Sequence, residues 1–558
     1  MRKIRVGLLI DELDIPFWEY RMIESINAGN YAEIVLVVRK KRTDIPERSF
    51  LARLKNSFTA PLFKLYTRVE NKLSKPIPDA FTKKNIENII KTSGFIEVDC
   101  IEKKFSDYVA EKDIAVIKEY KVDVFLRMGF RILRGEILKT AKMGIWSYHH
   151  GDNLKYRGGP AGHWEVLKRE RVVGSVLQIL TEDLDGGEVL YRSWSSVEPS
   201  VNKTLNGLFW KTSAFVPRKL KELYEKGEEV FFAKVKAENS QLYFYSGRNY
   251  TLPGNFNFLK YFIPHFFNRV RNKLWKLFNF EQWILLYSFS SSNSPATSIY
   301  RYKKLIPPKD RYWADPCVIY NDEKHYIFFE EVLYQREEEQ GYICVVEIDK
   351  SGIKSDPVVI LEKPYHLSYP FVFYHNGDYF LIPESEANST IQLYQAVNFP
   401  YQWEFKMNLM ENIKAVDATI FYNDNRFWLF TNVREMEGAS FSEELFLFSS
   451  DKLLTNEWKQ HPSSPIVSDV KSSRPAGRIF SHNGKFFRPS QNCSGKYGYS
   501  TVINEITELN ENTYKEHIVS HILPDWDDKV VATHTLSFEQ GLSVIDAQVK
   551  RRKRWFFF

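Results

Sequence analysis

The stretch that decides the fold of the first half of the chain is GIWSYHHGDNLKYRGGPAGHWEVLKRERVVGSVLQILTEDLDGGEVL, residues 144–190. It contains a turn with two histidines, a K-Y-R-G-G-P loop and an L-D-G-G-E loop. His149 and Asp185 each follow a predicted strand, and they lie 36 positions apart, which leaves room for one helix and one strand. We therefore expect both side chains in one cleft, where an imidazole and a carboxylate can perform general acid–base chemistry.

Apolar runs of strand length recur around this stretch and alternate with helical segments. This pattern predicts a doubly wound α/β sheet, in which ligands bind at the carboxyl ends of the strands. Residues 43–80 are polar and basic and predict an irregular insertion. The predicted strands are 4–10, 32–38, 122–128, 144–149 and 175–180, and the predicted first helix is 17–28.

Two features of the stretch have simpler interpretations beside the functional one. His149 and His150 can be loop histidines that make structural hydrogen bonds. The Gly158-Gly159-Pro160 turn either lets the backbone approach a ligand closely or is only a tight turn. Because no G-x-G-x-x-G follows the first strand, the sequence argues against a dinucleotide site.

The stretch resembles the catalytic core of the formyltransferases that use formyltetrahydrofolate, such as methionyl-tRNA formyltransferase and the sugar N-formyltransferases. Their motif runs approximately I-N-x-H-x-S-L-L-P-x-Y-R-G and is followed by a strand and L-D-T-G-D. His149 matches the motif histidine, residues 155–158 match x-Y-R-G, and residues 184–188 match L-D-T-G-D. VDVFLRMGFRIL (122–133) is similar to the segment that lines the folate pocket. The resemblance covers about the first 230 residues.

The resemblance implies formyltetrahydrofolate as the formyl donor and an amine as the acceptor. It implies that His149 stabilises the developing oxyanion with help from Ser147, and that Asp185 orients His149 and manages the amine proton. The cofactor-binding residues that it implies are Gly129, Leu184, Gly186 and Gly187, and the substrate-binding residues in this half are Arg157 and Gly158.

The chain departs from the family motif at one catalytic position. Ser147 replaces the asparagine whose carboxamide holds the formyl oxygen, and G-D-N-L (151–154) replaces S-L-L-P. Losing one oxyanion donor costs roughly 100- to 1000-fold in rate. A serine hydroxyl still provides one O–H donor on a shorter side chain.

The second half of the chain repeats a pair of strands joined by a turn rich in Asn, Asp and Gly, such as NDE, HNG or NDN. The copies span 312–331, 367–385, 415–432, 473–492 and, in degenerate form, 530–546. Equivalent positions in the copies are separated by 54, 48, 58 and 58 residues. This period predicts a five-bladed β-propeller. These equivalent positions are Asp315, Tyr369, Asp417, Pro475 and Thr533.

This half resembles the N-terminal propeller of plant glucosamine inositolphosphorylceramide transferases and, more distantly, arabinanase-type glycoside hydrolases, whose first blade opens with A-D-P as residues 314–316 do. Carboxylates and amides at the blade openings favour sugar binding. Three functions stay open: carbohydrate recognition, glycoside hydrolysis by paired carboxylates, and a structural or protein-binding role. The predicted substrate-binding residues here are Asp315, Glu331, Glu384, Asp417 and Arg474, with Asn432 and Gln491 nearby.

Composition limits the class of protein. With 558 residues the chain needs at least two domains, for which we predict boundaries of 1–235, 236–279 as a linker, and 280–558. The net charge of +7 is dispersed, which argues against a nucleic-acid partner. The four cysteines have no metal-ligand spacing, so the sequence predicts no metal site and a reducing, cytoplasmic setting.

Residues 254–278 interleave aromatic and aliphatic residues with five basic ones. They predict either a linker helix that packs its apolar face on a neighbouring domain or a basic amphipathic helix on a membrane surface. The terminal RRKRWFFF (551–558) has the same two interpretations. No apolar run reaches the length of a transmembrane helix, and VGLLI near the start is too short for a signal sequence.

The sequence as a whole predicts a formyltransferase-like enzyme that acts on an amino group of a sugar or glycan precursor in surface polysaccharide biosynthesis. Two alternatives remain at this point. One is a glycan-binding scaffold with weak or no turnover, and the other is a hydrolase of formylfolate or of a glycoside. The sequence gives no indication of oligomeric state.

Overall fold

The computed structural model describes residues 2–41, 60–91, 93–103, 105–183, 186–247, 249–291, 294–334 and 340–553. The chain forms two compact units. Unit 1 comprises residues 1–266 and 435–440, and unit 2 comprises 267–434 and 441–558. No helix in the described ranges has both the length and the hydropathy needed to cross a membrane.

Unit 1 combines strands and helices in alternation along the chain. Its strands are β1 (Ile4–Ile10), β2 (Asp14–Pro16), β3 (Ala32–Lys40), β4 (Lys83–Asn85), β5 (Gly94–Val98), β6 (Cys100–Lys103), β7 (Ser106–Val109), β8 (Val124–Arg127), β9 (Ile132–Leu133), β10 (Ile145–His149), β11 (Val172–Ile179) and β12 (Glu188–Ser196). Its helices are α1 (Phe17–Ala28), α2 (Pro61–Leu73), α3 (Glu111–Glu119), α4 (His163–Lys168), α5 (Val201–Thr212), α6 (Phe215–Lys226) and α7 (Glu228–Glu238).

A seven-stranded sheet with the order β12-β11-β10-β8-β1-β3-β5 forms the centre of unit 1. Strands β5, β3, β1, β8 and β10 are parallel, as the alternation of strands and helices predicted. One face packs on α1, α6 and α7 through residues such as Ile23 and Leu220, and the other packs on α3 through Ile117. Both faces are buried, which explains why these strands are almost continuously apolar.

The strand at 172–179 corrects one expectation. It was expected to continue the parallel series, but β11 runs antiparallel to β10 and pairs His149 with Val176 and Trp146 with Ile179. The segment at 150–171 leaves the carboxyl end of β10 and enters β11 at that same end of the strands, so the chain makes no crossover. The carboxyl end of β11 therefore lies beside Trp146, three residues before His149, and not at the carboxyl ends of the parallel strands.

The segment at 43–80 was expected to be irregular. Its first part lies outside the described residues, but Pro61–Leu73 is helix α2 and Ile77–Pro78 is a cis peptide bond. Proline at the first position suits a helix start because its missing N–H has no partner there. Phe63 is buried, whereas Leu73 is exposed, so only one side of this helix packs.

Helix α8 (Asn255–Phe278) extends from unit 1 into unit 2, and Pro264 lies inside it. The predicted linker of 236–279 therefore contains the end of α7 and the whole of α8. The other described elements of unit 2 are two 3-10 helices, Ile299–Arg301 and Glu386–Asn388, and a series of strands. The strands are β13 (Asn279–Phe289), β14 (Lys303–Leu305), β15 (Arg311–Asn321), β16 (Lys324–Leu333), β17 (Gly341–Asp349), β18 (Gly352–Ile353), β19 (Val358–Leu361), β20 (Ser368–His375), β21 (Asp378–Glu384), β22 (Thr390–Asn398), β23 (Gln402–Glu411), β24 (Ala415–Asn423), β25 (Arg426–Val433), β26 (Leu445–Ser450), β27 (Lys459–Gln460), β28 (Arg474–Pro475), β29 (Phe480–His482), β30 (Lys485–Asn492), β31 (Ser500–Leu509), β32 (Tyr514–Ile522), β33 (Val530–Ala532), β34 (Leu536–Glu539) and β35 (Leu542–Arg552).

These strands form five antiparallel sheets of four or five strands. The first four follow chain order: β15–β19, β20–β23, β24–β27 and β28–β32. The fifth combines β33–β35 with β13 and β14, because β13 pairs along its length with β35. Shared apolar cores join each sheet to the next, and a core that includes Val318 and Val544 joins the fifth to the first.

The turns predicted from Asn, Asp and Gly are confirmed. Each copy of the repeat has a two-residue hairpin turn in which both residues have positive φ. Mirror-image turns of this kind match the right-handed twist of the strands. The turn pairs are Asp322-Glu323, Asn376-Gly377, Asp424-Asn425, Asn483-Gly484 and Gln540-Gly541.

Three of the repeat positions proposed as equivalent share an uncommon backbone conformation. Asp315, Tyr369 and Asp417 have φ of +52°, +42° and +54°, and each lies in a register shift of its hairpin. Left-handed backbone at a non-glycine residue costs about 1–3 kcal/mol and persists only where its surroundings hold it. The bulge turns each of these side chains away from the regular alternation of its strand.

Candidate active site

Three side chains lie together at the carboxyl ends of parallel strands in unit 1: Arg127, Ser147 and His149. We call them the strand-end cluster. Arg127 on β8 pairs in register with Ser147 on β10, and its Nη1 donates to Ser147 Oγ at 3.2 Å. His149 lies two residues beyond Ser147, so it shares the same face of the sheet. Ser147 is buried and His149 is half-buried.

The Arg127 guanidinium is held in place by its own loop. Its Nη2 donates to the carbonyl oxygens of Phe130 and Arg131 at 2.9 Å, and its Nε donates to Arg131 at 3.2 Å. Since a guanidinium can only donate, Ser147 Oγ accepts its bond and keeps an O–H proton to donate elsewhere. Arg127 was not predicted from the sequence, although its position two residues before Gly129 in the resembling segment was a usable signal.

His149 also has a fixed hydrogen bond. Its Nε2 lies 2.9 Å from the carbonyl oxygen of Tyr156. A carbonyl oxygen can only accept, so Nε2 carries a proton while this bond is made. Nδ1 is therefore the ring nitrogen that acid–base chemistry would use.

The predicted partner of His149 cannot be placed. Asp185 and Leu184 lie outside the described residues, so the His149–Asp185 pair stays a prediction. The segment on either side is defined: the Glu182 carboxylate accepts from the Gly135 amide at 3.1 Å. A Cβ at Gly187 would collide with the carbonyl oxygen of Ile179, which explains the glycine there. At Gly186 a Cβ would lie 3.1 Å from Asp183.

Gly129, the predicted cofactor contact, follows β8 directly. A Cβ there would lie 2.5 Å from the backbone nitrogen of Asp11. The Asp11 carboxylate accepts from the Phe130 amide at 2.8 Å, so the loops after β1 and β8 lock together. Gly129 is thus required for close approach of two backbone segments, whether or not a ligand also binds there.

Arg157 and Gly158, the predicted substrate contacts, bind another part of unit 1. The Tyr250 amide donates to the Arg157 carbonyl at 2.7 Å, and a Cβ at Gly158, where φ is +89°, would collide with Tyr250. The Arg157 guanidinium lies over the Tyr245 ring at 4.4 Å. Gly158 is thus required for the close approach of the Tyr250 backbone, and substrate binding by this turn stays a prediction.

His150 has the structural role that the simpler interpretation assigned to it. Its ring stacks on Phe209 with a centroid distance of 3.7 Å, and its Nε2 lies 3.2 Å from Thr212 Oγ1. Burial, and then the neighbouring His149, lower the pKa of His150 to about 3. The ring is therefore neutral at any physiological pH.

Two buried carboxyl groups in unit 1 were not singled out from the sequence. Burial raises the pKa of Glu19 to about 8, with Lys83 opposing and Asp11 adding to the shift. Burial likewise raises the pKa of Glu165 to about 7. One oxygen of each has no hydrogen-bond partner among the described residues. Both groups can exchange a proton near neutral pH, but nothing in their sequence surroundings distinguishes them from surface glutamates.

Unit 2 contains a second polar group, which we call the buried ionic cluster. Arg474 donates through Nε to Asp417 at 2.6 Å and through Nη2 to Glu384 at 3.4 Å. His534 lies between two acids, with Nδ1 2.6 Å from Asp546 and Nε2 3.7 Å from Asp315. The cluster comprises Asp315, Glu384, Asp417, Arg474, His534 and Asp546.

This cluster has four carboxyl groups and two cations, and its pKa values reflect that imbalance. Burial first, and then the nearby acids, raise the pKa of Asp315 to about 7 and that of Glu384 well above its ordinary value. Burial alone would lower the pKa of His534, but Asp546 and Asp315 outweigh it and raise the pKa to about 9. His534 is therefore a cation at neutral pH.

Asp315, His534 and Asp546 also have ligand atoms within 4.8 Å of one another, a spacing that suits a metal ion. A histidine binds a metal only through a deprotonated nitrogen. Since the two carboxylates hold a proton on His534, a metal would have to displace that proton. The sequence did not predict this group, because Asp315 lies more than 200 positions before the other two residues along the chain.

Glu331 lies one position away from the place assigned to it. The strand register pairs Ser368 with Glu384, and the equivalent pair in the first sheet is Ala314 with Glu330. The Glu331 carboxylate accepts from Trp313 Nε1 at 2.7 Å and from the Tyr342 hydroxyl at 2.9 Å. Glu331 is thus engaged within its own sheet, and Glu330 takes the position equivalent to Glu384.

Two cavities of unit 2 differ greatly in size. The cavity beside Asp315 and Tyr369 measures about 10 Å³, which is room for one water molecule. A cavity of about 450 Å³ lies between the fourth and fifth sheets. Aromatic and polar side chains line it: Tyr300, Phe480, Phe487, Trp526, His482, His521 and Asp525.

Comparison with known proteins finds two groups of similar proteins. The family model "Glucosamine inositolphosphorylceramide transferase 1, N-terminal" matches residues 303–533. The chain is 31% identical over 206 residues to glucosamine inositolphosphorylceramide transferase 1 of Oryza sativa subsp. japonica, which covers 36% of this chain and 27% of the relative. The chain thus spans about a quarter of the length of these curated relatives.

Weaker similarity relates the chain to formyltransferases. It is 38% identical over 82 residues to a methionyl-tRNA formyltransferase of Prochlorococcus marinus, which covers 14% of this chain and 24% of the relative. Among solved structures, glycinamide ribonucleotide transformylase 1 from Symbiobacterium toebii matches with a TM-score of 0.27 and 15% identity, over 40% of this chain and 89% of that chain.

Proposed function

We propose that unit 1 transfers a formyl group from formyltetrahydrofolate to an amino group of a sugar or glycan precursor, and that unit 2 is a five-bladed propeller that holds the carbohydrate. The observation that carries this proposal is the strand-end cluster. Arg127 and Ser147 bring hydrogen-bond donors to one face of the sheet, and His149 adds a ring that can take up a proton. Donors grouped in this way stabilise an oxygen on which negative charge develops.

The donor set of the cluster fits a formyl group. When bound, the folate would supply an activated formyl carbon. Arg127 and Ser147 would then donate to the formyl oxygen. The guanidinium of Arg127 would supply the hydrogen bond that the family's asparagine carboxamide supplies and that the shorter Ser147 does not. Because the loop carbonyls already hold Arg127 in position, it needs little reorganisation to do so.

His149 would handle the proton of the attacking amine. With Nε2 bonded to Tyr156, Nδ1 is the nitrogen that accepts or returns a proton. The role of Asp185 in orienting His149 stays part of the proposal. The similarity to the methionyl-tRNA formyltransferase supports this chemistry, and that to the plant glucosamine inositolphosphorylceramide transferases supports a carbohydrate acceptor.

The carbohydrate would bind in the cavity between the fourth and fifth sheets of unit 2. Its volume of about 450 Å³ lies in the range of small-molecule sites, whereas the buried ionic cluster is closed. Aromatic faces such as that of Trp526 pack on the apolar side of a sugar ring, and Asp525 and His521 can bind its hydroxyl groups. Five sheets joined in sequence, with the fifth packed on the first, support the propeller.

The experiment that tests the proposal uses the full chain. Calorimetry with 5-formyltetrahydrofolate, a stable formyl-bearing folate, should give saturable micromolar binding. Formyl transfer from 10-formyltetrahydrofolate to a panel of nucleotide-linked amino sugars should then be detectable by release of tetrahydrofolate. Arg127→Met should lower kcat about 100-fold or more with little change in KM for the sugar, because it removes a transition-state donor.

A matched variant separates the two units. Trp526→Ala should raise KM for the amino sugar about tenfold and leave folate binding unchanged, because it removes only a carbohydrate contact. Lys354→Met, on an exposed strand end of unit 2, should change neither constant. Absence of folate binding at millimolar concentration would exclude the donor, and unchanged kcat in Arg127→Met would exclude the assigned role of the strand-end cluster.

A further inference from the structure

Helix α8 has an apolar face that points into solvent. Only Phe258 and His265 of its 24 residues are buried. Exposure is largest at Phe256 (81%) and Phe267 (65%). The exposed large apolar residues are Phe256, Leu259, Ile263, Phe266, Phe267, Val270, Leu274, Leu277 and Phe278.

These residues occupy one side of the helix. They recur at intervals of three and four, and at 3.6 residues per turn all nine fall in a sector about 120° wide. Phe258 and His265 lie on the opposite side, where Phe258 packs with Phe63 and Leu167. The helix therefore has a packed side and, facing away from it, an exposed apolar stripe of about 36 Å.

The charges of the helix are all of one sign. It contains five basic residues and no aspartate or glutamate. Lys260 and Arg271 lie along one border of the apolar stripe, and Lys273 lies along the other. Helices that bind an anionic bilayer surface have basic residues along the borders of an apolar stripe. The apolar side of such a helix inserts among the acyl chains.

The end of the chain adds to the same surface. The amide of Lys553 donates to the carbonyl oxygen of Phe278, the last residue of the helix, at 3.0 Å. Arg552 and Lys553 are exposed there. Two basic segments that are far apart in the sequence thus meet at one end of the apolar stripe.

We propose that α8, with Arg552 and Lys553 at its end, binds the surface of an anionic phospholipid membrane and lies parallel to it. Charge selects this partner over a second copy of the chain, since pairing two such helices would bring cations against cations. Each basic residue close to an anionic surface contributes to binding, and the effect decays within a Debye length. This proposal does not depend on formyl transfer.

Vesicle co-flotation with the full chain tests the proposal. The protein should bind vesicles of phosphatidylcholine and phosphatidylglycerol in equal parts and should bind pure phosphatidylcholine at least about tenfold more weakly. High salt should reduce the binding to the anionic vesicles. Equal binding to both kinds of vesicle, or to neither, would overturn the proposal.

Two sets of substitutions address the stripe and its border. Phe256→Ser, Phe267→Ser and Leu274→Ser together should weaken binding about 100-fold, because they remove apolar area that enters the bilayer. Lys260→Gln, Arg271→Gln and Lys273→Gln together should also weaken it about 100-fold. All six side chains are exposed, so the fold should survive, which circular dichroism verifies.

A matched control removes exposed apolar side chains elsewhere. Leu73→Ser, Ile77→Ser and Phe244→Ser are 82%, 95% and 81% exposed and should leave vesicle binding unchanged. An equal loss in this control would overturn the proposal. Light scattering supplies the remaining outcome: a dimer that the α8 substitutions dissociate, with no vesicle binding, would assign the stripe to self-association instead.

Discussion

The strand-end cluster of unit 1 and the buried ionic cluster of unit 2 both gather charged and polar side chains, but they differ in burial and in charge balance. Arg127 and His149 are half-buried and bonded mainly to backbone carbonyls. The ionic cluster is enclosed, and its carboxyl groups and cations bond to one another. A substrate can reach side chains that are half-buried, whereas enclosed groups that pair with one another stabilise a fold.

Burial also distinguishes the predicted substrate-binding residues of unit 2 from those of the strand-end cluster. Asp315, Asp417 and Arg474 lie where the repeat predicted polar residues, yet each is buried and engaged inside the protein. Charges that leave water need partners of this kind, because desolvation of an unpaired ion costs several kcal/mol. A polar residue at a repeated position therefore indicates a shared structural requirement as readily as a binding site.

The largest effect should come from removing the cation of the ionic cluster. Arg474→Met would leave Asp417 and Glu384 without their guanidinium partner in a buried setting and should lower the free energy of unfolding by about 3–5 kcal/mol. Urea unfolding followed by circular dichroism measures this. Lys354→Met, which breaks an exposed ion pair, should cost less than about 1 kcal/mol. Equal costs would show that burial is not what distinguishes the clusters.

His149→Ala should have a smaller effect, which falls on catalysis and not on the free energy of unfolding. We expect at least a 100-fold loss of folate-dependent transfer, typical of a lost acid–base group, with an unfolding free energy within about 1 kcal/mol of the parent. Steady-state kinetics and urea unfolding measure the two. His150→Ala, next in sequence but stacked on Phe209, should show the opposite pattern, with a larger loss of stability. Identical behaviour of both variants would remove the functional distinction.

For each pH unit, the smallest effect is a pH dependence that belongs to the ionic cluster. The pKa of His534 is raised from 6.5 to about 9 in the folded protein. Its contribution to stability is therefore complete below pH 6.5 and is lost as the pH rises through about 9. Between these values stability should fall by about 1.4 kcal/mol per pH unit.

Unfolding free energies at several pH values between 6 and 9 measure this slope. His534→Gln should flatten it, and His517→Gln, at an exposed position, should leave it unchanged. Raised pKa values of Asp315 and Glu384 act in the same direction, because folded protein retains protons that unfolded protein releases. A stability that increased from pH 7 to 9 would contradict the proposed charge imbalance.

Local rules anticipated much of this fold. Turns such as Asn483-Gly484 were predictable because few residues accept positive φ, and the parallel strands because both of their faces are buried. The position of Glu331 was not predictable, since the bulge at Asp315 shifts the alternation that assigns side chains to faces. The direction of β11 depends on how the loop at 150–171 folds, and no local pattern encodes that.

The candidate site divides in the same way. His149 and Ser147 were identified from a compact motif, whereas Arg127 gains its role only from the register of β8 against β10. His534 and Asp546 come within reach of Asp315 through the pairing of strands distant in sequence. Contacts of this kind are fixed by the packing of one sheet on another, and the spacing of residues along the chain carries no trace of them.

The pairing of β13 with β35 has a consequence for how the protein is made. The first residue of β13, Asn279, pairs with the last residue of β35, Arg552. Strand β13 therefore has no β35 to pair with until nearly the whole of unit 2 has left the ribosome. At about 5–20 residues per second, roughly 15 to 50 s pass between synthesis of the two strands. During that interval β13 is an unpaired strand that chaperones can reach. The speed of translation through the second half of the chain sets how long β13 stays unpaired.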